Sequence, residues 1–182
     1  MGKNVVKIFS GEFYATDSDE VIMTILGSCI SACVRDPVVK VGGMNHFLLP
    51  GKTDHPDFAS ARYGAFAMEE LINEILKRGG RRERLEIKVF GGGNIIKSST
   101  KIGSKNVEFI QEYLEQEGMK PISSDLGGDY PRRVNYYPFT GKVMMKSLQS
   151  LSAIDEVTKE EVGYKKAIDQ KEIKGSCDAE LF

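Results

Sequence analysis

Two residues in the first third of the sequence have side chains that can act together in covalent catalysis, Cys29 and His46. Cys29 follows an apolar run and the turn Gly27-Ser28, and His46 lies in the next apolar segment, KVGGMNHFLL. A free thiol has a pKa of about 8.5 and is mostly protonated at neutral pH. An adjacent imidazole can take that proton and hold the thiolate as a nucleophile for acyl transfer. The pair therefore predicts hydrolysis through an acyl-enzyme, provided that the fold brings sulfur and imidazole together.

A register argument places these two side chains on one face of an antiparallel strand pair. The segments CISACVRD and KVGGMNHFLL read as strands on either side of a turn at Asp36. If Asp36 pairs with Val39, Cys29 lies directly opposite His46, and such residues have Cβ atoms about 4.5–5.5 Å apart. A slip by one residue sends the histidine to the other face, whereas a slip by two keeps the face and lengthens the gap.

Three further groups are candidates around this pair. Thr24 lies on the strand that enters the turn, and its hydroxyl can orient the imidazole as the third member of a triad. The turn at Gly27-Ser28 can present backbone N–H groups to a developing oxyanion. Asn45, beside the histidine, is assigned with Gly27 and Ser28 to the residues that shape the site or bind the oxyanion.

Each candidate also has an ordinary structural interpretation. Free cysteine is among the most buried residue types, so Cys29 can be a small core residue. His46 can be a hydrogen-bonded histidine in the core, and Thr24 can be a β-former in an apolar strand. Cys33, between Ala32 and Val34, is interpreted as packing. The residues alone leave the catalytic and the structural interpretations open.

The sequence disfavours a metal site and predicts no cofactor. Cys29 and Cys33 would stand about 13 Å apart on a strand, at about 3.3 Å per residue, too far apart to share one ion. His55 is interpreted as a solvated loop residue, and Cys177 is a distant third thiol. The segment FGGGN at 90–94 has no phosphate-binding motif and is interpreted as a tight passage from strand to loop near the site.

Composition restricts the class of protein. The chain has 182 residues, of which 41% are hydrophobic and 28% charged, with a net charge of −1, as expected of one soluble domain. We predict no nucleic-acid partner and no membrane insertion, because there is no basic patch and no apolar run near the roughly 18 residues of a membrane span. The N-terminus lacks the pattern of a signal peptide, and three cysteines are an odd and sparse set, so a cytoplasmic location is predicted.

Hydrophobic periodicity predicts the elements that position the candidate residues. Two helices are expected, one with apolar residues spaced from Tyr63 to Leu76 and one at about 104–116. The charged segment from 149 onward is predicted to form a surface helix. The predicted architecture is α/β, with a mixed, mostly antiparallel sheet, two main helices and a C-terminal helical extension. Residues 1–148 are expected to form the domain and 149–182 an extension that packs on it or trails from it. The predicted strands are NVVKIFS, EFYAT, DEVIMTIL, CISACVRD, KVGGMNHFLL, RLEIKVF, a short one near KPISS, and the hairpin RRVNYYPF with KVMMKSL.

These segments resemble the CheD family of chemoreceptor glutamine deamidases. The resemblance rests on the element T-x-L-G-S-C, a D-P turn, the element G-G-M-x-H-x-x-L-P, and the same spacing between cysteine and histidine. It covers about residues 5–146, and the tail at 149–182 exceeds the minimal family length. Further matching segments, in the family's order, are YGAFAMEELINEILKRGG, KVFGGGNI, IGSKNVEFIQEYLEQEG and DLGGDYPRRVNYYPFTGKV.

The resemblance implies a role for each residue of the motif. Cys29 corresponds to the nucleophile, His46 to the base, and Thr24 to the hydroxyl that completes the triad. The implied fold is an α/β sandwich similar to that of bacterial cytotoxic necrotizing deamidase toxins. The implied partners are methyl-accepting chemotaxis receptors and, in some lineages, a CheC-type phosphatase. The expected activity is protein-glutamine deamidation through a thioester, with methyl-ester hydrolysis as a side activity. The alternative is a non-catalytic adaptor that binds receptors or the phosphatase.

Overall fold

The computed structural model describes residues 2–50, 56–96 and 101–177, without the side chains of 56–60 and 172–177. Within these ranges the chain forms two β-sheets and three α-helices. The strands are β1 Val5–Lys7, β2 Phe13–Thr16, β3 Val21–Leu26, β4 Ile30–Asp36, β5 Val41–Asn45, β6 Glu86–Gly91, β7 Ser123–Leu126, β8 Arg132–Tyr137 and β9 Lys142–Ser147. The helices are α1 Pro56–Lys77, α2 Ile102–Gln116 and α3 Leu151–Cys177.

The two sheets are mixed and mostly antiparallel. One has the strand order β1-β3-β8-β9, and the other has the order β2-β5-β4-β6-β7. Only the β1–β3 and β6–β7 pairs among these strands are parallel. The predicted α/β sandwich is confirmed.

Strand β4 carries both halves of the hydrophobic core, because both of its faces are buried. Cys29, just before the strand, and Cys33 face the other sheet, where they pack among residues such as Leu26. Ala32 and Val34 point the opposite way, into the layer formed with α1 and α2. Alternation along one strand therefore decides that Cys29 lies between the sheets.

The predicted register of β4 and β5 is wrong by two residues. Asp36 pairs with Val41, and the connection takes four residues, 37–40, instead of two. The Asp36 carboxylate accepts a hydrogen bond from the backbone N–H of Val38 at 2.9 Å, which closes a local turn after the strand. Lys40 then adopts a left-handed φ of +57°, which returns the chain to β5. Because the slip is even, the face of each side chain is unchanged.

Helix α1 begins earlier than predicted, at Pro56. The segment around residues 56–60 is expected from its polar composition to be a loop, but proline is favoured in the first turn of a helix, where its missing N–H has no partner to lose. His55 lies outside the described residues, as does the side chain of Cys177.

Helix α3 lies on the domain through one face. A set of its buried or half-buried side chains recurs with alternating spacings of three and four residues and forms a stripe along the helix, flanked by further half-buried side chains such as Val162. The Tyr164 hydroxyl in this stripe lies 2.9 Å from the Tyr63 hydroxyl on α1. The predicted boundary after residue 148 falls between β9 and α3. No helix in the described ranges has the apolar length that crossing a bilayer requires. The stripe consists of Ile154, Val157, Glu161, Tyr164 and Ile168.

Candidate active site

The turn at 27–29 links β3 in one sheet to β4 in the other, and each of its carbonyls has a donor. Gly92 and Gly93 donate backbone N–H groups to the outer two carbonyls, both at 2.8 Å. The Asn106 side chain, from α2, donates to the middle one at 2.7 Å. Gly91 must be glycine here, because its φ is +114° and a Cβ would collide with the Cys29 carbonyl oxygen. The glycine run is thus a passage from strand to loop beside the site, as predicted.

The structure brings Cys29 and His46 together at the interface between the sheets. The corrected register sets them diagonally across β4 and β5 instead of directly opposite. A sulfur, an imidazole nitrogen and a carboxylate oxygen from Cys29, His46 and Glu161 lie within 4.8 Å of one another. Cys29 is 0% exposed and His46 3% exposed. The predicted pair therefore occupies one buried site.

The Thr24 hydroxyl determines the orientation and the tautomer of the imidazole. It donates its only hydrogen to the backbone carbonyl of Ile8 at 2.8 Å. The same oxygen lies 2.7 Å from Nδ1 of His46, so it accepts a hydrogen bond from the Nδ1–H group. The Nε2 nitrogen is then the unprotonated one, and it faces Ser10. Thr24 and His46 are thus hydrogen-bonded, and the Cys29 sulfur lies within 4.8 Å of an imidazole nitrogen.

Ser10 is a residue of the site that sequence reasoning missed. Its hydroxyl lies 3.2 Å from Nε2 of His46 and 3.8 Å from Sγ of Cys29, so it bridges the two groups. It follows β1 in a segment that looks like an ordinary break between strands. Nothing in the local pattern distinguishes it from other turn serines.

The backbone N–H groups of Gly27, Ser28 and Cys29 converge on one point, and we refer to them as the three-amide site. A carboxylate fills it: Glu161 of α3 accepts hydrogen bonds from these groups at 2.8, 2.7 and 3.1 Å. The Ser28 hydroxyl adds a fourth at 2.7 Å. Glu161 is only 2% exposed. Consecutive N–H groups arranged in this way form an anion-binding concavity.

Glu161 was also missed at the sequence level, although a signal exists. It occupies a position between Val157 and Tyr164 in the buried stripe of α3. Ile154, Val157 and Tyr164 alone predict an apolar helix face, and an acidic residue on that face requires buried donors. The sequence does not tell which donors these are, because they lie far away along the chain.

The buried environment disfavours the charged forms of Cys29 and His46. Burial raises the pKa of the Cys29 thiol well above its usual value, the nearby Glu161 carboxylate raises it further, and the Ser10 hydroxyl opposes them. Burial also lowers the pKa of His46 to about 4, and Glu161 opposes this shift. At neutral pH the site thus holds a thiol beside a neutral imidazole, and not a thiolate–imidazolium pair.

Cys29, His46 and Glu161 are residue types that can also bind a metal ion. Four N–H and O–H donors already point at the Glu161 carboxylate, however, and their positive ends lie where they would repel a cation. The donor set around the turn therefore suits a carboxylate or an oxyanion better than a metal ion.

Asn45 faces away from the reacting groups. Its side-chain oxygen accepts from the backbone N–H of Ala32 at 2.8 Å, and its amide nitrogen donates to the carbonyl of Ala67 at 3.2 Å. It thus ties β4 and β5 to α1 and holds the strand that carries the histidine. Cys33 is fully buried between the sheets, in agreement with the packing interpretation.

Comparison with known proteins identifies relatives across the whole chain. Residues 48–147 match a family model described as CheD chemotactic sensory transduction. The chain is similar to a protein named probable chemoreceptor glutamine deamidase CheD from Hahella chejuensis, with 48% identity over 97% of this chain and 85% of the relative. Proteins of the same name from Rhodopseudomonas palustris and Hydrogenovibrio crunogenus are 51% and 48% identical over 97% and 100% of this chain, and 84% and 95% of their own lengths. These matches extend beyond the family model in both directions.

Proposed function

This chain belongs to the CheD family, and we propose that it is a protein-glutamine deamidase that converts glutamine side chains of chemoreceptors to glutamate. One observation carries the proposal beyond the names of the relatives. A buried cysteine, a histidine of defined tautomer and three converging backbone N–H groups meet at one turn. These are the parts that hydrolysis of an unactivated amide through an acyl-enzyme requires.

We assign the nucleophile to Cys29 and the base to His46. Nε2 of His46 takes the thiol proton, directly or through the Ser10 hydroxyl that bridges the two groups. Thr24 keeps Nδ1 protonated, which leaves Nε2 free to accept. Proton transfer accompanies attack of the sulfur on the carboxamide carbon, since a standing thiolate is disfavoured at this buried position.

The three-amide site then has the geometry to hold the developing negative charge. As the sulfur adds to the carboxamide, its oxygen becomes an oxyanion, and backbone N–H groups that already converge need not reorganise to bind it. The close hydrogen bonds to Glu161 indicate that Gly27, Ser28 and Cys29 can stabilise a negatively charged oxygen. Removal of one such donor typically costs about 10²–10³ in rate.

Breakdown of the intermediate completes a balanced hydrolysis. His46 returns its proton to the leaving nitrogen, ammonia departs, and Cys29 remains acylated as a thioester. A water molecule, deprotonated by His46, attacks the thioester carbon and releases glutamate and the free thiol. The net change is amide plus water to carboxylic acid plus ammonia. A methyl ester would enter the same acyl-enzyme with loss of methanol, so methyl-ester hydrolysis is the expected side activity.

We propose the cytoplasmic part of methyl-accepting receptors as the substrate. A CheC-type phosphatase remains a candidate partner, implied only by the family resemblance. The rival function is a non-catalytic adaptor that binds these proteins without chemistry. His46 donates its Nδ1–H to Thr24 and accepts at Nε2 from the Ser10 hydroxyl, and these two hydrogen bonds favour catalysis, because binding alone does not require a defined histidine tautomer.

The test is a matched pair of cysteine variants assayed on a receptor cytoplasmic fragment. Cys29→Ala removes the nucleophile, and Cys33→Ala makes the same change at a buried cysteine on the same face of the strand pair. We expect the first to abolish ammonia release and the glutamine-to-glutamate mass change, and the second to retain both. If Cys29→Ala still deamidates the fragment, the mechanism is wrong. If wild type binds the fragment and never modifies it, the adaptor function is correct.

A further inference from the structure

Helix α3 places its own acidic side chain in the active site. All three N–H groups proposed to bind the oxyanion donate to Glu161, and the Ser28 hydroxyl joins them. One of its carboxylate oxygens also lies within 4.8 Å of the Cys29 sulfur and of a His46 nitrogen. A glutamine substrate cannot bind these groups while this carboxylate occupies them.

The occupant has the chemical structure of the reaction product. Deamidation turns a glutamine side chain into a glutamate side chain, and at the moment of release the new carboxylate lies beside the cysteine sulfur and the oxyanion donors. Glu161 is a glutamate side chain in that position. We propose that α3 is a tethered product mimic that keeps the active site filled, and that a receptor segment must displace it before reaction. This proposal rests on the proposed deamidase function.

The domain is shaped to receive this helix. A Cβ on Gly27 would overlap Ile95 Cδ1 and come within 2.7 Å of the Glu161 carboxylate, so a side chain there would collide with both groups. Gly11 has a left-handed φ of +86°, and the Tyr164 ring fills the space where its Cβ would be. Two turns from different parts of the chain therefore leave room for two consecutive members of the buried α3 stripe. A helix that extends into solvent would have no such complementary space on the domain.

The attachment of α3 is nevertheless limited to side chains on one face. Within the described residues, its backbone packs less extensively against any other helix or strand than α1 and α2 pack against each other. The opposite face is exposed over the described length, including Glu160 directly beside the buried carboxylate. Such a helix can leave as a unit without opening the sheets, as displacement by a substrate requires.

The competing interpretation is a permanent structural cap, in which Glu161 only satisfies the N–H groups of the turn. The hydrogen bonds are the same in both cases, so stability alone does not separate them. The reactivity of Cys29 separates them, because a tethered mimic limits the access of reagents to the sulfur. A mimic also lies close enough to the sulfur to react with it when it carries a carboxamide. The experiments therefore measure reaction at the cysteine in the full chain.

The first experiment compares Glu161→Ala with Glu160→Ala, its exposed neighbour on the same helix. Alkylation of Cys29 by iodoacetamide at neutral pH and deamidation of a receptor fragment are both measured. We expect Glu161→Ala to accelerate alkylation by about tenfold or more and to raise kcat/KM, because it opens the site and removes the charge that disfavours the thiolate. Glu160→Ala should match wild type in both assays.

The second experiment makes the mimic into a substrate. In Glu161→Gln, the internal glutamine presents a carboxamide to Cys29, which adds to its side-chain carbon and expels ammonia. Water then cleaves the thioester and restores glutamate at position 161. We expect mass spectrometry of the purified variant to find glutamate there, and to find unchanged glutamine in the double variant that also carries Cys29→Ala.

The outcomes separate this inference from the proposed function. If wild type deamidates receptor fragments, while Glu161→Ala changes neither rate and the introduced glutamine persists in folded Glu161→Gln, then α3 is a structural cap and the inference is wrong. If no variant releases ammonia but Glu161→Ala still exposes Cys29 to alkylation, the deamidase proposal is wrong. The inference that Glu161 of α3 blocks access to Cys29 is then still supported. Should Glu161→Ala not fold, the mass of the Glu161→Gln variant decides alone.

Discussion

At the level of single side chains, the site depends on one hydrogen atom of Thr24. The hydroxyl donates it to the Ile8 carbonyl and can then only accept from the imidazole. His46 therefore keeps its proton on Nδ1 and turns its lone pair at Nε2 toward Ser10 and Cys29. A threonine thus orients the imidazole as a carboxylate does in many triads, without adding a negative charge beside a thiol that must ionise.

We predict that Thr24→Val lowers kcat by roughly 10²-fold or more, within the range of about 10²–10⁴ that positioned acid–base catalysis contributes. Valine keeps the shape but leaves Nδ1–H of His46 without its acceptor, so the ring is free to adopt the wrong tautomer. Thr24→Ser restores the hydroxyl and should recover most of the activity. Steady-state deamidation of a receptor fragment measures both; equal losses in the two variants would mean that the hydroxyl has no orienting role.

The two site residues that were not predicted from the sequence show which features short sequence patterns do not encode. The cysteine and the histidine flank the paired strands β4 and β5, and the threonine lies on the strand that enters the cysteine turn, so motif and alternation suffice to group them. Ser10 and Glu161 reach the same site from other parts of the chain, one from the loop after β1 and one from α3. Their placement depends on sheet order and helix docking, which no short pattern encodes.

At the level of secondary-structure elements, α2 supports the turn at 27–29 through Asn106. Its amide nitrogen donates to the Ser28 carbonyl at 2.7 Å, and its oxygen accepts from the backbone N–H of Leu49 at 3.1 Å. One fully buried side chain thus joins the cysteine turn to the segment after the histidine strand. With the carbonyl held on one side, the N–H groups of the turn face the other.

We expect Asn106→Ala to lower the free energy of unfolding by about 2 kcal/mol or more, because two buried backbone groups lose their partners at about 1–3 kcal/mol each. Activity should fall as well, since the three-amide site loses its support. Urea denaturation and deamidation rates measure the two effects. Glu108→Ala, at an exposed position of the same helix, should change neither; a similar loss there would point to the helix and not to the amide.

The helices and strands could be predicted where the spacing of hydrophobic residues within each segment identifies the element. Most strands, α2 and the charged C-terminal helix follow from alternation and helical spacing. The β4–β5 register could not be predicted in this way, because it depends on the length of the connecting loop. The hydrogen bond to the Asp36 carboxylate and the left-handed conformation of Lys40 give a loop of four residues instead of two. The even slip preserved the face of His46, so the histidine still lies beside Cys29 despite the error.

At the level of the whole molecule, the fold buries an ionisable pair in the sandwich and covers it with α3. The pKa of His46 is lowered to about 4 by burial, against an ordinary value of 6.5. Between these two pH values the unfolded chain binds more protons at this residue than the folded chain does. The free energy of unfolding must therefore fall as the pH drops through that window, while the full contribution is retained above it.

We predict that acidification from pH 6.5 to 4 costs wild type up to about 3 kcal/mol more than it costs His46→Gln, since each pKa unit corresponds to about 1.4 kcal/mol. Chemical denaturation at several pH values measures the two slopes. The chain has only one other histidine, so His55→Gln is the matched control and should keep the wild-type slope. Identical slopes in wild type and His46→Gln would mean that the histidine is not held neutral.

The burial of Cys29 under Glu161 also has a consequence for oxidative damage. Peroxides attack thiolates, and the successive oxidation of cysteine to sulfenic and sulfinic acids follows thiolate character and exposure. Here the sulfur is fully buried, its pKa is raised, and a carboxylate lies beside it. With α3 bound, the molecule is thus protected against oxidation of the proposed nucleophile. The sulfur is open to oxidation only after α3 has been displaced and before a substrate has bound.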